Sequence, residues 1–376
     1  MDLNRIYAPI KKDLDKVEDK LRKNFPATNN FLKKINEHLF RAKTQGKRIR
    51  PALVLFSSKI SSNSGAGKAH NSSEVISLAV AIELIHTASL IHDDIIDNAI
   101  ERHNQATLHR EYGNRTAILA GDILYAQAFN LLSEIGIPEI VQIMSEAVKK
   151  VCLGEIEETR KRESLFVYSS LPRKDILQDV PSEEEYFTII RNKTAVLMSA
   201  CCEAGALLSQ FTVPFGPSSL RPEASGQKAG QGHRSFKTNN GDEAANLGDY
   251  GLNFGLAYQI IDDYLDLFGE KEKTGKSVGI DLKEGTLTLP LIRLREVISQ
   301  TQKSDSKNGL KGLTQVINSK KYQLRKLLVE YKILDYIREK TNFFLSQAKE
   351  KIVSFCPSIY RDGLLNLTEY VHSREK

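Results

Sequence analysis

Residues 72–97 read SSEVISLAVAIELIHTASLIHDDIID. Up to Leu90 the run is apolar on most sides, which predicts a helix that is central and buried rather than amphipathic. It then ends in Asp93, Asp94 and Asp97. Carboxylates at i, i+1 and i+4 share one side of a helix. Three like charges that close repel one another, and they repel more strongly at the edge of a core. Either all three are fully wet or something positive sits among them. Glu83 and His86 interrupt the run, so a membrane span is not expected.

The segments around it also read as helices. Ile10, Leu14, Val17 and Leu21 recur at three-to-four spacing. GDILYAQAFNLLSEIG, IPEIVQIMSEAVKKVCLGEIEE, SEEEYFTIIRNKTAVLMSACCEAGALLSQ and NLGDYGLNFGLAYQIIDDYLDLFG follow the same pattern, and no convincing run of alternating strand residues occurs. The expected fold class is all-α. Segments 161–182 and 214–241 break the pattern. The second is rich in Gly, Pro and Ser, so both are expected to be flexible insertions rather than domain boundaries.

YQIIDDYLDLFG repeats the motif. Asp262, Asp263 and Asp266 again stand at i, i+1 and i+4 after an apolar helix. One such cluster could be a solvated helix end, but two of them favour hard cations. Mg²⁺ takes carboxylate and phosphate oxygens and keeps several waters, so it often bridges an Asp to a phosphate. Two acidic walls could grip a diphosphate through such ions. A diphosphate also needs direct cationic partners, and QGKRIRP supplies Lys47, Arg48 and Arg50. Arg102, Lys193 and Lys276 lie near helix ends or Gly-containing turns. His86 lies seven residues before Asp93, on roughly the same face. Arg offers a planar fork to phosphate, and Lys a point charge.

Composition narrows the class. A net charge of +6 over 376 residues suits an anionic small ligand or a membrane surface. With no Trp and no aromatic-rich basic patch, nucleic acid is not an expected partner. Cys152, Cys201, Cys202 and Cys356 show no metal-type spacing, and the vicinal pair reads as helix core. The N-terminal MDLNRIYAPIKKDLDKVEDKLRK has no apolar targeting region, and a reducing, cytoplasmic location is expected.

Taken together, GKRIRP, ELIHTASLIHDDIIDNAIERH, LAGDILYAQAF, EEEYFTIIRNKTAVL, GLAYQIIDDYLD and TGKSVGIDLKEGTLTLPLI resemble the trans-polyprenyl diphosphate synthases over nearly the whole chain, in motif order and spacing. The resemblance implies one helical bundle over residues 1–376 around a deep central cavity, and a homodimer. It implies that Asp93, Asp94, Asp97, Asp262, Asp263 and Asp266 hold Mg²⁺ (about three ions) with an allylic diphosphate. Arg102, Lys193 and Lys276 would contact that diphosphate. Lys47, Arg50 and His86 would bind isopentenyl diphosphate. Thr194 and Gln259 would steady the reacting groups. The implied reaction is ionisation of the allylic diphosphate, followed by attack of the isopentenyl double bond and loss of a proton. The product would serve as a lipid or quinone side chain, with transient membrane-surface contact on release.

Two positions depart from the family pattern. His103 stands where an Arg would bind isopentenyl diphosphate, and Glu158 stands where a Gln is common. Product length is read from the helix of the first aspartates. Ala88 and Ser89, one turn deeper than Asp93, are small where short-chain members commonly place an aromatic floor. Ile85 is a partial obstruction, and Phe129 and Leu132 are candidates for the floor. One turn spans about 5.4 Å, near one isoprene unit, which predicts a product of roughly 30 to 50 carbons. A terpene cyclase would normally replace the second aspartate motif. A non-catalytic synthase subunit tends to lose the aspartates, and a metal phosphohydrolase would need a second His set. A short-chain synthase remains the alternative within the family.

Overall fold

The SSEVISLAV run forms helix α5 (Ser72–Ile96), and most of it is buried inside a helical bundle. By length and composition α5 could cross a membrane, but its side chains are spent on protein contacts. Leu78, Ile82, Leu84 and Ile85 are almost completely buried. Each contributes roughly 1.5–3 kcal/mol relative to exposure. Glu83, the charge that interrupts the run, is buried too. Its carboxylate accepts from Arg48 Nη1 at 2.5 Å. Arg48 is also bonded to Glu18 and has a left-handed backbone (φ 50°). Arg48 therefore answers a buried structural charge.

The computed structural model describes residues 2–40, 46–62, 72–102, 105–169, 181–210, 241–268, 288–301 and 321–374. Among them the elements are α1 (Leu3–Tyr7), α2 (Lys11–Leu21), α3 (Asn30–Leu39), α4 (Ile49–Ser62), α5, α6 (Leu108–Tyr112), α7 (Asn114–Ile135) and α8 (Pro138–Ser169). Then come α9 (Glu183–Ile190), α10 (Val196–Gln210), α11 (Gly241–Phe268), α12 (Leu289–Thr301), α13 (Lys321–Glu330), α14 (Ile333–Ile352) and α15 (Ile359–Ser373). The one sheet among the described residues is a two-residue hairpin pairing Arg102 with Gln105. The fold is all-α, as the periodicity requires.

Helix α5 lies along α7 and against α4, while α10 is packed between α4 and α11, and α11 also packs on α14. Cys201 and Cys202 are buried in α10, as expected of helix core. Residues 161–169, read from the sequence as the start of an insertion, instead continue α8. Two of them pair with neighbouring elements: Lys161 Nζ with Glu185 at 2.7 Å and Arg162 with Asp97 at 2.6 Å. Residues 170–180 lie outside the described residues, as do 211–240, nearly all of the second expected insertion; Gly241 opens α11.

Candidate active site

The site forms where the ends of α5 and α11 meet a deformed turn. Residues Arg191–Ala195, between α9 and α10, form a π-helical turn that carries Lys193 and Thr194. Such bulges break the regular ladder and re-aim side chains, often at functional sites. Two glycines let neighbouring helices close on it. A Cβ on Gly154 of α8 would lie 2.9 Å from Lys193 N, and one on Gly255 of α11 would lie 2.6 Å from Ala195 Cα. Nothing larger than hydrogen fits at either place.

On the first-cluster side, Lys193 Nζ lies 2.6 Å from Glu155 and is also bonded to Glu158. Burial pulls the Lys193 ammonium down, but Glu158, Glu155 and Asp93 more than offset it and leave it above the ordinary lysine range. Burial, then repulsion from Glu155 and Asp97, pushes Asp93 up to about 7, against the pull of Lys193 and Arg102. Asp94 is buried and accepts from Arg102 Nε at 2.8 Å and Nη2 at 2.7 Å. Asp97 accepts from Arg162 Nη1 at 2.6 Å. The sequence question is thus partly answered: Arg102 and Arg162 sit among the carboxylates, and Asp93 is left with a charge it tolerates poorly.

On the second-cluster side, Thr194 Oγ1 donates to Gln259 Oε1 at 2.8 Å, and Gln259 Nε2 donates to Asp263 Oδ1 at 2.7 Å. Tyr186 OH donates to the other Asp263 oxygen at 2.7 Å. Asp263 is buried, and that burial raises its carboxyl to about 7 despite these two bonds. Asp262 accepts from Arg374, whose guanidinium also lies 4.6 Å from the centre of the Tyr258 ring. Asp266, one turn on, is half-buried. The Lys193–Thr194 turn therefore acts on both acidic clusters, on the first through the charge of Lys193 near Asp93 and on the second through the Thr194–Gln259–Asp263 hydrogen bonds.

A third group lies beside α4. Arg50 Nη1 donates to His86 Nε2 at 3.0 Å, and among the described residues the buried Arg50 Nε has no hydrogen-bond partner. Lys47 Nζ stands 5.9 Å and 6.0 Å from the centres of the Tyr258 and Tyr370 rings. Tyr258 is thus shared by Lys47 and by Arg374, the partner of Asp262. His103 and Lys276 lie outside the described residues. The chain-length candidates Ala88, Ile85 and Leu132 are buried in one apolar cluster, with Phe129 packed on it. Ser89 turns its hydroxyl back to the His86 carbonyl at 2.9 Å.

Residues 29–215 and 231–327 match the sequence profile of the polyprenyl synthetase family. The chain belongs to that family. It is a prenyltransferase. The chain is similar to heptaprenyl diphosphate synthase component 2 of Bacillus subtilis (strain 168), 29% identical over all of this chain and 92% of that one. It is also similar to the short chain isoprenyl diphosphate synthase of Methanothermobacter thermautotrophicus, 30% identical over 100% and 98% of the two chains. In structure, the polyprenyl synthase of Caulobacter crescentus CB15, complexed with calcium and isoprenyl diphosphate, superposes with a TM-score of 0.77 at 25% identity, covering 100% of this chain and 98% of that one.

Four residues of the site were not among those expected from the sequence: Tyr186, Glu155, Arg162 and Arg374. Tyr186 lies two helical turns before Lys193 within EEEYFTIIRNKTAVL, and Glu155 stands one turn before Glu158 in a stretch already read as helix, so spacing alone could have found both. Arg162 and Arg374 belong to no motif and were invisible until α8 and α15 brought them in.

Proposed function

We propose that this chain is a long-chain trans-polyprenyl diphosphate synthase, condensing isopentenyl diphosphate head-to-tail onto an allylic diphosphate such as farnesyl or geranylgeranyl diphosphate. The observation that carries the reading is that the Lys193–Thr194 turn acts on both carboxylate clusters, on Asp93 through the charge of Lys193 and on Asp263 through Gln259. The acidic residues suit a divalent cation. Asp93 and Asp263 are both raised by burial, and a cation would relieve that penalty. An all-carboxylate donor set suits Mg²⁺, which completes its shell with water and substrate oxygens.

When bound, Mg²⁺ would supply positive charge to the departing diphosphate. The chain's own residues do the rest. Lys193 and Arg102 would receive the allylic diphosphate as it gains charge. Arg50, whose Nε–H has no hydrogen-bond partner among the described residues, and Lys47 would orient the diphosphate of the attacking isopentenyl group. The Thr194 hydroxyl and the Gln259 amide, held in one hydrogen-bonded line, would face the allylic carbons as positive charge develops. The apolar wall of α5 and α7 would keep water from the cation. The proton lost at the end would leave with the released diphosphate.

Ile118 and Leu119 on α7, and Leu153 and Ile156 on α8, are large, apolar and exposed, which supports a homodimer through this face. The relative called component 2 makes a heteromeric partner the other outcome of a mass measurement in solution. We place the enzyme in the cytoplasm, with its product passing to a membrane surface. The test is Mg²⁺-dependent incorporation of labelled isopentenyl diphosphate into an extractable lipid. No incorporation with any allylic primer contradicts the proposal.

A further inference from the structure

The face of α8 turned toward the first aspartates carries Glu155, Glu158 and Arg162, spaced i, i+3 and i+7. These three side chains pair with the charges that a metal-bound diphosphate would use. Glu155 and Glu158 bracket the Lys193 ammonium, and Arg162 covers Asp97. Glu155 is buried, and among the described residues its other oxygen has no hydrogen-bond partner. Glu158 differs. It is half-buried, shares Lys193 with Glu155, and lies within electrostatic reach of Asp263 in the second cluster. It is therefore one carboxylate more than Lys193 needs for neutrality, placed between the two acidic walls.

From this geometry we propose that Glu158 is a specificity-determining residue that makes diphosphate binding conditional on divalent metal. The inference rests on the proposed function. With no metal present, an incoming diphosphate must compete with two carboxylates for one ammonium and also meets the uncompensated charge of Glu158. Metal ions on the aspartates reverse the local balance, and Lys193 can then leave Glu158 for the phosphate. A diphosphate arriving without metal is refused, and so is an unphosphorylated prenyl alcohol, which brings no charge to draw Lys193 away.

The experiment measures binding of inorganic pyrophosphate to the full chain by calorimetry, in EDTA and in Mg²⁺. One charge a few ångströms from a phosphate, at an effective dielectric of about 20, changes affinity on the order of tenfold or more. Glu158→Gln keeps the shape and removes the charge. It is expected to bind pyrophosphate about tenfold more tightly in EDTA than the unmodified chain does, with a smaller gain on adding Mg²⁺. Glu158→Asp keeps the charge and is expected to stay as metal-dependent as the original. A purely structural glutamate would give the opposite result, since losing it would loosen Lys193 and weaken binding. Unchanged or weaker binding by Glu158→Gln in EDTA overturns the inference. The unmodified chain in Mg²⁺ separates this from the wider reading: if it does not bind pyrophosphate there, the proposed function falls and the inference with it.

Discussion

Gly154→Ala tests how the active-site turn is held. The added methyl would lie 2.9 Å from both Asn192 Cβ and Lys193 N, and 3.0 Å from Lys193 Cγ. The Cγ can swing away, but the backbone nitrogen cannot. Restoring an ordinary contact requires α8 and the π turn to part by about half an ångström or more. Overpacking of this kind costs about 1–3 kcal/mol. Replacing Gly by Ala within helix α8 returns about 1 kcal/mol of helix propensity, so the net loss of stability is small. Activity is far less forgiving, because Lys193 moves relative to both clusters, and a misplacement near 1 Å can cost about a hundredfold. The expected result is a large fall in kcat/KM for labelled isopentenyl diphosphate, with a melting temperature within a few degrees of the original. Activity within about threefold of the unmodified enzyme would refute the close-contact reasoning.

Four other outcomes follow from the same structure. Asp93→Ala and Asp262→Ala are each expected to lower turnover at least about a hundredfold with the circular dichroism spectrum intact, and near-normal rates in both would remove the metal assignment. Asp93 and Asp263 have folded-state carboxyls near 7 against an ordinary 3.8, so the metal-free fold binds more protons than the unfolded chain between those values, and stability falls as pH rises through 7. In EDTA, Asp93→Asn is then expected to lose less melting temperature between pH 5 and pH 8 than the original chain does; parallel curves would contradict the shift. Arg48→Met strands buried Glu83 and is expected to cost about 3 kcal/mol by urea titration, whereas a loss under about 1 kcal/mol would mean that Glu83 finds another partner. Ala88→Phe is expected to shorten the product to about 15–20 carbons by blocking one turn of depth, and an unchanged product would place the channel elsewhere.

The sequence carried the helices and the two acidic ends because both are local signals. Apolar periodicity marks a helix, and carboxylates at i, i+1 and i+4 mark a costly charge wherever the helix goes. It also carried Lys193, Thr194 and Gln259 as residues, but not their connection. The bond from Thr194 to Gln259 spans 65 positions, and the π turn that aims both neighbours has no periodic signature. Arg48 read as one more cation in a basic stretch, and only packing showed that it belongs to Glu83. Arg162 was hidden by a poorly periodic stretch read as an insertion, although its helix continues to Ser169. Arg374 comes to Asp262 from 112 positions away, a distance over which no local rule operates.

The most direct test of the central claim, that both clusters act together in repeated prenyl transfer, is the mass spectrum of lipid made from farnesyl diphosphate and excess labelled isopentenyl diphosphate with Mg²⁺. The account predicts a ladder of diphosphates growing by single isoprene units and ending at roughly 30 to 50 carbons, the depth that several turns of α5 allow. A product that stops at geranylgeranyl diphosphate would contradict the long-chain assignment, and no condensation product at all would contradict the account of the site.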